Sequence, residues 1–252
     1  MRLSYIFSLI IGVAAFASVT AYVSAKDEKS QGFSREEIEE IVTETIMKKP
    51  EIIVQAVQEL QTREERKIEA DAKKALEENH KIIYDSKNSP VIGNPKGDVT
   101  LVEFVDYNCG YCKQSLPNIM KLVKNDENLR IIIKDYPVIA PTSAIAAQAA
   151  LTVHTLMPEK YFDYHAALFR MGGRFNKERL ASVAVAMGID KDTFLEKLDS
   201  KDIESKVDAN RKLAQELRVR GVPYFIIGGK TFPGAVSYTR LKDAIAEVRA
   251  KN

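Results

Sequence analysis

The feature that most constrains the fold of this chain is a pair of cysteines, Cys109 and Cys112, set shortly after an apolar run at 99–105. They are the only two cysteines among 252 residues. A nearly continuous apolar run of this length is typical of a strand covered on both faces, and a helix is predicted to begin at the pair. A disulfide between the two would close a very short loop and remove little entropy from the unfolded chain. The pair is therefore predicted to react rather than to act as a structural staple.

A structural disulfide and a metal site are the alternatives for this pair. A zinc site needs further ligands. The chain has no third cysteine, and its three histidines, His80, His154 and His165, show no ligand spacing and are expected at the surface or on helices. We therefore predict no metal and no cofactor.

The first 25 residues have the pattern of a secretory signal peptide. Arg2 precedes an apolar stretch that ends at Val23-Ser24-Ala25, a cleavage site between small residues. An uncleaved membrane anchor is the alternative, because the stretch is nearly long enough to span a bilayer. Either way the remainder is expected to be exported, and in a bacterium periplasmic or surface-exposed, where disulfides persist. The formal net charge of +2 argues against nucleic acid as a partner.

Residues 26–86 are predicted to form a helical arm and a linker helix. Ser34 and Glu37 fit a capping box, and Pro50 interrupts the first helix and begins a second. Apolar residues follow at helical spacing as far as Leu60, whereas the next twenty residues are strongly charged with a thin apolar seam.

The apolar stripes at 33–60 could fold back onto the rest of the chain or bury against copies of themselves. We favour self-association into a homo-oligomer, because the polar helix at 61–81 would hold the arm away from the body.

Residues 87–252 have the pattern of an α/β domain. Strands are predicted at 99–105, 129–134, 224–227 and 230–232, the last two forming a hairpin. Helical segments fill about 142–217, and an amphipathic helix at 238–249 closes the chain. This order suits a central sheet with helices on its faces.

The segment Phe-Val-Asp-Tyr-Asn-Cys-Gly-Tyr-Cys at 104–112, together with Gly-Val-Pro-Tyr-Phe at 221–225, resembles the DsbA-like thiol:disulfide oxidoreductases. The resemblance covers about 87–252 and implies a thioredoxin-like central sheet with an inserted helical domain. With its N-terminal helical arm included, the chain is most similar to the ScsC-type, oligomeric members of that group.

The resemblance implies a role for each residue of the cysteine motif. Cys109, at a helix N-terminus that favours a thiolate, would be the nucleophile, and Cys112 would resolve the mixed disulfide. Gly110 and Tyr111 between them would contact substrate. Because this dipeptide carries no imidazole, we expect a milder oxidant than a member with a cationic group there.

Three further residues take their expected roles from the same resemblance. Pro223 matches a cis-proline whose loop faces the cysteines, and Val222 before it would give backbone contacts to an extended substrate; an ordinary trans proline at a strand start is the alternative. Glu103 matches a buried acid that relays the proton of Cys112, with its pKa raised by desolvation. Strand alternation could instead place Glu103 at a wet edge.

The predicted function is thiol–disulfide exchange on unfolded or misfolded exported proteins, with a membrane protein as redox partner. An oligomeric arm favours an isomerase, because several active sites on one assembly raise the effective concentration. The valine before Pro223 is more usual in oxidases of this family, which favours an oxidase instead. Two rivals remain: a copper-binding or copper-tolerance protein that uses the same two thiolates, and a non-catalytic surface protein whose arm matters more than its cysteines.

Overall fold

The computed structural model describes residues 33–85, 87, 89–172 and 174–251, so the predicted signal peptide at 1–25 lies outside the described residues. By its contacts the chain divides into a unit that ends at Glu65 and a unit that runs from Arg66 onward. This boundary differs from the one predicted at 86–87. The reason is the thin apolar seam, which is sufficient to bury Leu76 in the core of the second unit. In the described ranges, no helix is both long and apolar enough to cross a membrane.

The first unit consists of α1 (Arg35–Lys48) and the beginning of α2 (Glu51–Glu78), with the break at Pro50. The predicted capping box is confirmed: the Glu37 N–H donates to Ser34 Oγ, and the Ser34 N–H donates to the Glu37 carboxylate at 2.8 Å. The large apolar side chains of this unit are exposed. They are Phe33, Ile38, Ile41, Val42, Met47, Ile52, Ile53, Val54, Val57 and Leu60.

The second unit contains a five-stranded sheet in the order β1-β3-β2-β4-β5. Its strands are β1 (Val91–Gly93), β2 (Val99–Val105), β3 (Leu129–Asp135), β4 (Tyr224–Ile227) and β5 (Lys230–Pro233). β2 and β3 are parallel, and the other pairs are antiparallel. β2 is therefore central, and all of its residues except Thr100 are buried.

The helices confirm the predicted α/β order. They are α3 (His80–Tyr84), α4 (Gly110–Asn125), α5 (Ser143–Leu156), α6 (Tyr161–Arg170), α7 (Lys177–Ala186), α8 (Lys191–Leu198), α9 (Lys201–Glu216) and α10 (Tyr238–Arg249), with a short 3₁₀ turn at Pro158–Lys160. The five helices from α5 to α9 form the insert between β3 and β4. Helix α4 begins at Gly110, so it starts inside the cysteine pair.

Candidate active site

The two cysteines lie where the central strand passes into a helix. Cys109 is the N-cap of α4, and Cys112 lies in its first turn. Both thiols are free and buried, with 5% of Cys109 and 1% of Cys112 exposed, so Cys112 is the less accessible of the two. The Cys112 N–H donates to the Cys109 sulfur at 3.3 Å. A free helix N–H directed at this sulfur stabilises negative charge on it.

The loop before β4 faces the Cys109 sulfur. The Cys109 thiol donates to the Val222 carbonyl at 3.3 Å across 113 residues of sequence. The antiparallel pairing of β2 with β4 brings these distant segments together. The Val222–Pro223 peptide bond is cis, as the resemblance implied.

Gly110 and Tyr111, the residues between the cysteines, are exposed beside Cys109, and Tyr111 has 64% of its surface accessible. Their predicted contact with substrate is compatible with this placement and stays a prediction.

Glu103 is buried in β2 with 3% of its surface exposed, which excludes the alternative of a wet sheet edge. It lies between Ile133 of β3 and Phe225 of β4. Burial raises the pKa of Glu103 to about 8. Burial also raises the pKa of the Cys112 thiol far above its usual range, and the nearby charge of Glu103 adds to the effect. The interior therefore holds an acid and a thiol that both retain their protons at neutral pH.

A buried aspartate, to which the sequence analysis gave no role, fixes the turn that presents Cys109. The Asp106 carboxylate accepts hydrogen bonds from the backbone N–H groups of Val138, Ile139 and Asn108 at 2.7, 2.8 and 2.8 Å. The Asn108 side-chain amide donates in turn to Ser143 Oγ at 2.9 Å. An aspartate at the end of a buried strand is a turn signal that could have suggested this clamp.

A second buried contact joins the active-site turn to the helical insert. The Tyr107 hydroxyl lies 2.9 Å from Nδ1 of His165, and the Tyr161 hydroxyl lies 3.3 Å from the same atom. His165 is on a helix, as expected, but it is buried, and burial lowers its pKa to about 3, so its ring is neutral. Burial raises the pKa of the neighbouring Asp135 to about 8.

The sequence family that matches this chain agrees with the geometry. The DSBA-like thioredoxin domain matches residues 100–246, which is more than half of the chain. The chain belongs to the DsbA-like thioredoxin-domain family. The N-terminal domain of the copper resistance protein ScsC matches residues 35–67 as well.

Known proteins of the DsbA-like family cover most of the chain. The thiol–disulfide exchange protein α-DsbA2 of Wolbachia pipientis is 32% identical with a TM-score of 0.67, over 71% of this chain and 97% of that one. A linker-deletion variant of Proteus mirabilis ScsC is 28% identical with a TM-score of 0.67, over 89% and 100% of the two chains. Disulfide bond formation protein D of Bacillus subtilis is 26% identical over 63% of this chain and 76% of its own length.

The DsbA-like site is suited to thiol–disulfide chemistry. A sulfur at a helix start and a second thiol one turn further in are the groups that reversible disulfide exchange uses. The described residues contain no cluster of three or more histidine, cysteine or acidic side chains placed to hold a metal ion.

Proposed function

We propose that this protein catalyses thiol–disulfide exchange on unfolded or misfolded exported proteins, and that isomerisation is its main activity. The observation that carries the proposal is the position of the Cys109 sulfur, between the first turn of α4 and the Val222 carbonyl. Membership of the DsbA-like family supports the same chemistry.

In the isomerase direction, the Cys109 thiolate attacks a wrong disulfide of the substrate. A Cys109–substrate disulfide forms, and the other substrate sulfur leaves as a thiolate. A different substrate thiolate then attacks the substrate sulfur of this mixed disulfide. The correct disulfide forms, and Cys109 is released as a thiolate.

Cys112 resolves a mixed disulfide that does not rearrange. In the minority of molecules in which Glu103 is ionised, Cys112 gives its proton to the Glu103 carboxylate. It then attacks the Cys109 sulfur, which releases a substrate thiolate and leaves a Cys109–Cys112 disulfide. A membrane redox partner then reduces this disulfide. In the reverse direction a substrate thiolate attacks Cys109, and Glu103 returns the proton to the departing Cys112 sulfur.

Substrate backbone is held beside the reacting sulfur by the loop that carries Val222 and Pro223, with the exposed Gly110 and Tyr111 on the other side of Cys109. None of these four side chains carries a charge, which suits an enzyme that accepts many sequences in extended conformation.

The exposed apolar side chains of the first unit support self-association through residues 33–60. An apolar surface of this extent marks an interaction site. Several active sites in one assembly act on one misfolded chain at high effective concentration, which favours isomerisation over simple oxidation.

Two observations support an exported, periplasmic location. The first 25 residues have the pattern of a secretory signal, and a solved relative from Salmonella enterica, 28% identical with a TM-score of 0.58, is described as a periplasmic thioredoxin-like protein.

The test is the reactivation of scrambled ribonuclease by residues 26–252 and by a chain that starts at Arg66. The shorter chain retains the whole second unit, so a loss of activity reports on the arm alone. We expect strong reactivation by the longer chain and little by the shorter one. Rapid oxidation of reduced ribonuclease with little reactivation by either chain would instead indicate an oxidase.

A Cu(I)-binding role of the same two thiolates is the second candidate, and the match of residues 35–67 to the copper resistance protein ScsC favours it. It predicts stoichiometric Cu(I) binding, measured by competition with a colorimetric chelator, that is lost in Cys109→Ser. Exchange activity that is unaffected by saturating Cu(I) would argue against it.

A further inference from the structure

Helix α2 and the edge strand β5 enclose a trough that leads to the active-site loop. Three adjoining cavities of about 640, 740 and 370 Å³ lie along it. The first two share Lys73, Leu76 and Gly229 in their linings, and the last two share Ile68, Ala72 and Thr231. Each volume falls within the range of about 300–1,000 Å³ that is usual for ligand pockets.

The wall supplied by α2 is one continuous helix face. Ile68, Ala72 and Leu76 follow one another at intervals of four residues and span about 12 Å of the helix axis. The α2 wall is fixed to the second unit by burial of Leu76 and by an ion pair of 2.9 Å between Asp71 and Arg218. Ile68 is 57% exposed on this face, a large apolar side chain that the core does not use.

The opposite wall is formed by β5 and, in the middle cavity, also by Arg240, Asp243, Ala244 and Glu247 of α10. This strand ends the sheet, and among the described residues its only strand partner is β4. The consecutive residues Lys230, Thr231 and Phe232 all line the trough. Because neighbouring side chains of a strand point to opposite faces, such a lining indicates that the trough runs along the strand edge. Four residues of β5 extend over about 13 Å, close to the length of the α2 wall.

The trough ends at the loop that carries Val222. The last of its three cavities is lined by Gly221 and Val222 together with Ala72 and Ala75 of α2. Val222 is the residue whose carbonyl accepts a hydrogen bond from the Cys109 thiol. Cys109 itself lines none of the three cavities, so the Val222 carbonyl is the link between the trough and the reacting sulfur.

We propose that the trough between α2 and β5 binds an extended, apolar segment of the substrate polypeptide and guides its cysteine to Cys109. This inference rests on the proposed function and gives it a recognition site. It makes the linker helix a part of substrate binding, in addition to its role as a connection to the arm.

The chemistry of the trough favours an unfolded polypeptide as its occupant. An edge strand offers backbone hydrogen bonds to any extended chain, whatever its sequence. Six of the residues that line the middle cavity are charged, and two of them, Lys230 and Glu247, form an ion pair of 2.8 Å. Ile68, Leu76 and Phe232 in the same lining offer apolar contacts to an extended chain, which unfolded proteins expose and folded ones bury.

The test compares Ala72→Trp with Ala70→Trp in the full protein. Both substitutions add the same side chain to α2, but Ala72 lines the trough and Ala70 is exposed and lines none of the three cavities. The oxidised protein is mixed with an extended apolar peptide that carries one cysteine, and separately with glutathione. We expect Ala72→Trp to slow the reaction with the peptide about tenfold and to leave the reaction with glutathione unchanged, while Ala70→Trp changes neither.

Equal peptide rates for the two variants would overturn the proposal. Loss of both reactions in Ala72→Trp would also overturn it, because it would assign α2 a purely structural role. Failure of the unsubstituted protein to react with glutathione would refute the thiol–disulfide function itself.

A second measurement does not depend on a bulky substitution. In the Cys109→Ser, Cys112→Ser protein, a peptide without cysteine is expected to slow amide exchange in Lys230–Phe232. Slowing that depends on protein concentration and not on the peptide would assign the trough to a second copy of the chain and overturn the proposal.

Discussion

At the scale of single residues, the site depends on two groups that are kept protonated by burial. Glu103 and Cys112 both lie beneath the surface that Cys109 presents, and the pKa of each is raised mainly by loss of solvent. In the proposed mechanism, the ionised form of Glu103 takes the proton of Cys112, because this thiol is too deeply buried to lose its proton to water. Burial of Glu103 is therefore expected to lower the stability of the protein and to raise the rate at which Cys112 resolves the mixed disulfide.

Glu103→Gln is expected to stabilise the protein in a pH-dependent way. The pKa of Glu103 rises from 4.5 to about 8 on folding, so the folded state holds this proton more tightly than the unfolded state. Stability of the unsubstituted protein therefore falls as pH rises from 4.5 towards 8, and the glutamine variant lacks this loss. We expect a gain of about 3 kcal/mol at pH 7 and almost none at pH 4, measured by urea unfolding.

Glu127→Gln, at an exposed position, is the control for Glu103→Gln and should change stability at neither pH. A gain from Glu103→Gln that is equal at pH 4 and pH 7 would contradict the assignment of the raised pKa to Glu103.

The two cysteines are expected to differ in what they trap. Cys112→Ser removes the resolving thiol, so a disulfide between Cys109 and substrate should accumulate, whereas Cys109→Ser should trap none. Non-reducing electrophoresis with a reduced test protein and a mild oxidant measures the adduct. Adducts of similar yield in both variants would refute Cys109 as the nucleophile.

At the scale of elements, the turn between β2 and α4 is held from the side of the insert. Asp106 binds the backbone of the loop after β3, Asn108 binds the start of α5, and Tyr107 contacts His165 on α6. The position of Cys109 therefore depends on elements that come after it in the chain.

Asp106→Ala is expected to weaken both stability and activity. It removes the acceptor of the N–H groups of Val138 and Ile139. Because these two residues are about half exposed, we expect a cost of about 1–3 kcal/mol. The midpoint temperature of thermal unfolding and the rate of exchange with glutathione should both fall. Asp163→Ala, at an exposed position of α6, should stay within about 0.5 kcal/mol of the unsubstituted protein. An unaltered glutathione rate in Asp106→Ala would show that the clamp does not position Cys109.

The helices and strands also show which parts of the fold could be predicted from the sequence alone. The apolar run of β2, the hairpin glycines and the periodicity of α10 are local signals, and each of these elements lies where it was predicted. β1 was not predicted, because three residues between two turns carry no pattern and are held only by pairing with β3.

Within the site, the cysteine spacing pointed to Cys109 and Cys112, and the family resemblance pointed to Pro223, whose cis bond lies beside the Val222 carbonyl that faces Cys109. Roles that depend on partners distant in sequence were missed. Lys134 is an example: it lies at the end of an apolar strand, but it is buried and donates to Ile82 O, Asp85 O and Ser89 Oγ at 3.1, 3.1 and 2.9 Å. No local pattern could show that the chain before β1 would cover it.

At the scale of the whole molecule, the apolar surface of the first unit is the feature that a single chain leaves unexplained. Ile53 and Val57 lie four residues apart on one face of α2, and about half of each side chain is exposed. A second copy that covers this face would provide the burial that the single chain lacks.

Ile53→Glu combined with Val57→Glu is expected to dissociate the assembly. Sedimentation should show the mass of one chain, scrambled ribonuclease should no longer be reactivated, and exchange with glutathione should be unchanged. Gln55→Glu with Gln58→Glu adds the same charge to exposed positions of the same helix and should leave all three properties unaltered. An unchanged mass for Ile53→Glu with Val57→Glu would exclude this surface as the oligomer contact.

The distance of 113 residues between Cys109 and the carbonyl that faces it also sets an order of events in time. A ribosome delivers the cysteines early and the loop of Val222 and Pro223 near the end. Until then the sulfurs lack the strand, the loop and the insert that position them. A copy that ends before Val222 therefore carries both cysteines without the carbonyl that faces Cys109.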